Sequence, residues 1–174
     1  MPELISPTPR LYASWLAAGE EWGADAHMAG AALDGDDDVS TPEGFAAWTE
    51  RLRAYGDRTV PLEHGRVHAT SWWIAEGDTF LGSIDLRHHL NAFLLDAGGH
   101  IGYSVRPSAR GRGLATWALS EVLHEARLMG MDRVLLTCDP DNEASARTIE
   151  RNGGVLEDVR ETLIGPKRRY WIDL

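Results

Sequence analysis

Val105-Arg106-Pro107-Ser108-Ala109-Arg110-Gly111-Arg112-Gly113-Leu114, followed by Ala115 and Thr116, decides how the rest of the chain is read. An apolar, strand-like run from His100 to Val105 precedes it, and an amphipathic helix pattern from Leu114 to Met129 follows. A strand, a turn of two glycines and two arginines, and a helix start are what holding a phosphate requires. Glycine lets the backbone approach the anion, the free N–H groups of the first helical turn point at it, and the helix dipole favours negative charge. Arg110 and Arg112 can add charge-assisted hydrogen bonds. The stretch is read as a grip for a pyrophosphate. The plainer alternative is a helix start with basic neighbours.

Two other phosphate motifs are excluded. A P-loop needs Gly-x-x-x-x-Gly-Lys-Ser/Thr, which occurs nowhere in the chain. A dinucleotide fingerprint needs a third glycine where Thr116 stands, and too little chain follows for that fold. What remains is Arg-x-x-Gly-x-Ala, from Arg110, Gly113 and Ala115. Beyond the helix, Arg133 to Cys138 reads as a buried strand and Asp139-Pro140-Asp141-Asn142 as a turn. Asp141 or Asn142 would cap a short helix running to about Asn152, which Gly153-Gly154 ends.

This series, with Asn142, Ser145 and Gly153 in place, resembles the coenzyme A-binding half of the GNAT superfamily of N-acetyltransferases. Leu86 to His88, Gly99 to Tyr103 and Asn152 to Gly154 look like segments of its small bacterial members, and the resemblance runs from about Thr70 to the C-terminus. It implies an α/β fold: a single GNAT-like domain over residues 1–174, whose central twisted mixed β-sheet is flanked by helices and holds the cofactor between splayed strands.

Composition agrees. A chain of 174 residues, 43% hydrophobic and 25% charged, is sized for one globular domain with a real core. Its apolar runs are too short for a membrane span, and the N-terminus has no basic-then-apolar signal region. One cysteine, Cys138, excludes an internal disulfide and suits a reducing cytoplasm, and no His/Cys spacing suggests a metal site. A net charge of −10 disfavours nucleic acid as a partner. Much of the acidity sits in Asp34-Gly35-Asp36-Asp37-Asp38, read as an exposed loop.

Along the N-terminal half, the patterns predict a helix over about Pro9 to Trp22 with Leu11, Trp15, Leu16 and Ala18 inward. A second helix follows from Pro42 to Tyr55, capped by Thr41. Val67 to Ala75 and Thr79 to His88 read as a hairpin, and Val155 to Ile164 with Arg169 to Asp173 as a closing strand pair. Alternation makes the Trp72-Trp73 pair half core and half surface.

The resemblance also implies chemistry. Acetyl-coenzyme A, as acyl-donor co-substrate, would lie along Tyr103, Ser104 and Val105. Its pyrophosphate would meet Arg110, Gly111, Arg112, Gly113, Leu114, Ala115 and Thr116, and its pantetheine arm Asn142 and Ser145. A primary amine of a small molecule or peptide would attack directly in a ternary complex. Many members place a proton-donating Tyr seven residues after the Asn, where this chain has Ile149, and the common site of the base is also empty of titratable groups. The candidates for proton handling are His88, Tyr103 and Tyr170, with Asp85 and His89 behind them. Histidine suits a base near neutral pH, which favours His88. The missing Tyr leaves a second reading, an acyl-coenzyme A sensor of the same fold with little catalysis. The acceptor amine and a homodimer both stay open.

Overall fold

The computed structural model describes residues 1–23, 33, 37–63 and 65–174. In chain order these form strand β1 (Glu3–Ile5), helices α1 (Tyr12–Trp22) and α2 (Pro42–Ala54), and strands β2 (Ala69–Glu76), β3 (Thr79–Arg87) and β4 (Ile101–Val105). Helix α3 (Leu114–Leu128), strand β5 (Arg133–Cys138), helix α4 (Glu143–Arg151) and strands β6 (Val155–Thr162) and β7 (Gly165–Asp173) complete it. Thr41 caps α2 by accepting the Gly44 N–H at 3.1 Å, and Pro42 takes the first helical position, where its missing N–H costs nothing. Asn142 is the residue that caps α4, its Oδ1 accepting the Ser145 N–H at 3.1 Å.

The strands form two sheets, ordered β1-β2-β3-β4 and β5-β7-β6. Every strand pair in either sheet is antiparallel, so the mixed sheet expected from the sequence is divided into two antiparallel ones. The division falls between β4 and β5, where cross-strand backbone bonding is limited to the N–H of His100 donating to Leu135 O at 2.7 Å. β1 is only three residues long and shows no alternation of its own; pairing with Trp73, Ile74 and Ala75 of β2 is what makes it a strand.

Alternation along β2 and β3 builds a core on each face of the first sheet. Trp73, Ala75 and Phe80 meet Trp15, Ala18, Phe45, Trp48 and Leu52 of α1 and α2. The ring centroids of Trp73 lie 5.8 Å from both Phe45 and Trp48, close enough to add to the energy of burial alone. Ile74, Leu81, Ile84 and Leu86 face α3, whose Leu119, Val122 and Ala126 are fully buried. Trp72 stays partly exposed beside its buried neighbour, as alternation requires. Leu16, expected inward, is 36% exposed: α1 turns Leu11, Trp15 and Ala18 to the sheet, and Leu16 falls beyond that stripe. Of the acidic loop, residues 34–36 lie outside the described residues, while Asp37 forms an ion pair with Arg51 of α2 instead of facing water.

Candidate active site

Where β4 and β5 part, a cleft of about 820 Å³ opens between them and runs to the N-termini of α3 and α4. Its backbone wall follows from the β3–β4 register. His100 O accepts from Arg87 N–H and Arg106 N–H donates to Leu81 O, both at 2.7 Å, so even-numbered positions of β4 face β3. The peptide groups of Tyr103 and Val105 therefore face the gap.

At one end stands the Arg/Gly turn. Gly111 and Gly113 hold φ of +76° and +77°, the left-handed region that only glycine adopts without strain. That conformation turns the chain into α3 with no side chain capping the helix. The first backbone bond of α3 is Trp117 N–H to Gly113 O, which leaves the N–H groups of Leu114, Ala115 and Thr116 without helical acceptors. Arg110 lines the cleft beside them, its Nε donating to Val105 O at 3.2 Å. A bare helix start beside a guanidinium in one cleft is suited to an anion by electrostatics.

Asn142 and Ser145 form the opposite wall, from α4. Tyr103 reaches across to them from β4, and its hydroxyl lies 2.7 Å from Ser145 Oγ. Burial pushes the phenol pKa up to about 12, so the ring keeps its proton at neutral pH. Cys138, at the end of β5, is buried and its thiol is likewise pushed up by burial.

Every residue expected along the cofactor lines this cleft except Arg112. Arg112 turns away, its Nη2 3.0 Å from Glu76 Oε2, because the end of β2 offers it a carboxylate. Two expected catalytic side chains also lie elsewhere. His88 is outside the lining: its Nδ1 accepts from Arg58 Nε at 3.2 Å and its Nε2 lies 2.8 Å from Thr70 Oγ1. Both nitrogens are engaged, and burial, then the nearby Arg58, lowers its pKa to about 4. Tyr170 is 1% exposed in the core, its hydroxyl directed at Glu150 at 3.3 Å. Asp85 is buried too, accepting the Gly102 N–H at 2.9 Å and facing Arg87 at 3.3 Å. His89 is exposed and lines nothing in the cleft.

Seven lining residues were not expected from the sequence, and three of them, Trp22, Arg147 and Arg151, bring large or charged side chains. Arg147 and Arg151 stand four apart on α4 and face the cleft together. Their spacing was visible, but which side of α4 faces the turn is set by packing of Ala146 and Ile149 into the core. Trp22 enters from the end of α1. It is brought there by Glu21, which accepts from Arg106 Nε at 2.7 Å and from Ser108 N–H at 3.0 Å. The Arg106 guanidinium holds the Glu21 carboxyl down at about 2. No sequence signal links positions so far apart.

Among the described residues no three His, Cys, Asp or Glu side chains are grouped to hold a metal ion, and no helix is long and apolar enough to cross a membrane.

Residues 16–155 match the family model of the acetyltransferase (GNAT) domain. No protein of curated function matches the chain by sequence. Among solved structures, RimL, a ribosomal L7/L12 alpha-N-protein acetyltransferase in complex with coenzyme A, is similar at 18% identity and TM-score 0.72, over 99% of this chain and 94% of that one. Mycobacterium smegmatis RimJ in complex with CoA-disulfide is similar at 20% identity and TM-score 0.69, over 99% and 81%. The microcin C7 self-immunity acetyltransferase MccE, in complex with acetyl-CoA and AMP, is similar at 18% identity and TM-score 0.68, over 99% and 92%.

Proposed function

The chain belongs to the GNAT acetyltransferase family, and on that premise we propose that it transfers an acetyl group from acetyl-coenzyme A to a primary amine by direct attack, with both substrates bound at once. The observation that carries this reading is the cleft itself, which has an uncapped helix start at one end and a phenol at the other. The donor set suits the molecule. The N–H groups of Leu114, Ala115 and Thr116 with Arg110 would hold the diphosphate, and Arg147 and Arg151 would add positive charge beside it. The gap-facing peptide groups of Tyr103 and Val105 would pair with the amides of the pantetheine arm, as would Asn142. Acetyl-coenzyme A supplies the activated acyl group, so no residue need form a covalent intermediate.

Tyr103 Oη is the proton donor in this reading. It is protonated at neutral pH, Ser145 Oγ orients it, and a departing thiolate is the group it would serve. Ile149, where many relatives carry Tyr, is fully buried and can donate nothing. The phenol is thus supplied from β4 instead of α4. With His88 and Tyr170 held elsewhere by Thr70, Arg58 and Glu150, water takes the proton of the amine. The acceptor is read as a primary amine of a peptide or small molecule; the similarity to RimL, an alpha-N-protein acetyltransferase, supports a protein N-terminus as the first class to try.

The test is calorimetric titration with acetyl-coenzyme A, then thiol release over a panel of N-terminal peptides, amino acids, polyamines and aminoglycosides. Binding with release for one class establishes the transferase and its acceptor. Binding without release for any class favours a sensor of acyl-coenzyme A, the reading that buried Ile149 keeps in view. No binding overturns both.

A further inference from the structure

We infer that Lys167 and Arg168 are positioning residues for the reaction: from β7, the middle strand of the second sheet, they hold the turn between β5 and α4, and through it Asn142 and Ser145, against the cleft. The inference rests on the acetyl-coenzyme A reading above. Lys167-Arg168-Arg169 is the one run of consecutive cations in the chain. Its three side chains part company. Arg169 meets Glu157 at 3.2 Å, Lys167 forms an ion pair with Asp139, and Arg168 Nη2 lies 2.6 Å from Glu143 Oε1. The β5–β7 register sets the last two contacts. Cys138, the last residue of β5, sits opposite Arg168, so Lys167 and Arg168 stand where β5 ends and the turn begins.

The turn has little else to hold it. From Asp139 to Ala144 no side chain is buried, and α4 is anchored in the core only from Ala146 onward. The backbone closes on itself, Asn142 N–H donating to Asp139 O and Glu143 N–H to Asp141 O, both at 3.0 Å. Among the described residues, the two ion pairs are the polar side-chain contacts that tie residues 139–144 to another element. The cations are the better-buried partners, with side chains 13% and 24% exposed against 58% and 57% for the carboxylates, so β7 supplies the fixed end of each pair. What the turn carries is one wall of the cleft. Asn142 Oδ1 accepts the Ser145 N–H, and Ser145 Oγ lies 2.7 Å from Tyr103 Oη, so a shift of the first turn of α4 passes to the phenol assigned as proton donor. Asp139 itself lines the cleft, and Lys167 offsets its charge in a site read as holding an anion. Neither Lys167 nor Arg168 is part of the lining, so both act through the turn.

The test removes one contact from its two ends. Arg168→Gln and Glu143→Gln break the same ion pair but change the charge near a bound anion in opposite senses. Calorimetry with acetyl-coenzyme A gives Kd, thiol release with the amine found in the panel gives kcat, and melting temperatures are taken alongside. Positioning requires both variants to move the same way: each should raise Kd and lower kcat by about threefold, the scale of a partly exposed ion pair. The double variant should be no worse than either single one, because only one contact is lost. Opposite shifts in Kd would mean that the two charges act only through their field. Unchanged Kd and kcat with a lowered melting temperature would mean that the pair serves stability alone. Either result overturns the positioning role and leaves the transferase reading intact. If one of these variants fails to fold, Lys167→Gln and Asp139→Asn make the same comparison at the second pair. An unsubstituted protein that binds no acetyl-coenzyme A overturns that reading and this one together.

Discussion

At Tyr103 the phenol leaves β4, crosses the gap and meets Ser145 Oγ at 2.7 Å, so that deleting one oxygen separates its proton from its bulk. Tyr103→Phe should lower kcat by about 10²-fold, the usual scale for a lost general acid, with acetyl-coenzyme A affinity little changed. A parallel fall in affinity would mean that the ring only walls the cleft. The two arginines of the turn differ in the same testable way. Arg110 lines the cleft, whereas Arg112 is held by Glu76, whose carboxyl it keeps below the usual range. Arg110→Glu should therefore weaken acetyl-coenzyme A binding by about 1.5–3 kcal/mol, the value of a charge-assisted contact. Arg112→Glu should weaken it less, and calorimetry on both variants would expose a reversed order.

Among the elements, α1 stands apart because its last turn holds the turn that precedes α3. Glu21 binds Arg106 through both Nε and Nη2, at 2.7 and 2.6 Å, and also accepts the Ser108 N–H. Its pKa is held at about 2 against an ordinary 4.5, chiefly by the bond to Arg106. A depressed carboxylate stabilises the fold fully above its unfolded value, and the contribution is lost as pH falls toward the folded one. Stability should thus exceed that of Glu21→Gln by a constant margin above about pH 4.5, with the margin closing toward pH 2. Urea midpoints of the two proteins across that range would reveal it. A margin independent of pH would mean that geometry, not charge, makes the clamp. Because Trp22 is the next residue, the same variant should also loosen one wall of the cleft.

In the molecule as a whole, the first sheet separates an aromatic core under α1 and α2 from an aliphatic one under α3 and α4. Trp73 is 1% exposed and touches the rings of Phe45, Trp48 and Phe80, so Trp73→Ala should cost about 3–5 kcal/mol in urea unfolding. A loss below about 1 kcal/mol would show that the aromatic core collapses around the gap. The aliphatic core carries the cleft differently. Ile149 and Ala146 anchor α4 to it, and that anchoring turns Arg147 and Arg151 toward the cleft.

Local chemistry was legible in the sequence. Glycines at 111 and 113, the Asn142 cap and the 3.6-residue stripe of α3 each depend on neighbours within a few positions. Most strand and helix spans and the Arg/Gly turn therefore follow from the sequence alone, and so do most of the residues that line the cleft. Tertiary structure decided the rest, because long side chains choose among partners that only folding brings within reach. Arg112 met Glu76, His88 met Thr70 and Arg58, and Tyr170 was packed over Glu150. Trp22 arrived at the cleft on a helix tied to Arg106, and β1 became a strand only by pairing with β2. The opening between β4 and β5 is of this kind as well: strand propensity favours continued pairing, and the backbone parts at His100, whose N–H turns to Leu135 O while its carbonyl turns to Arg87 N–H.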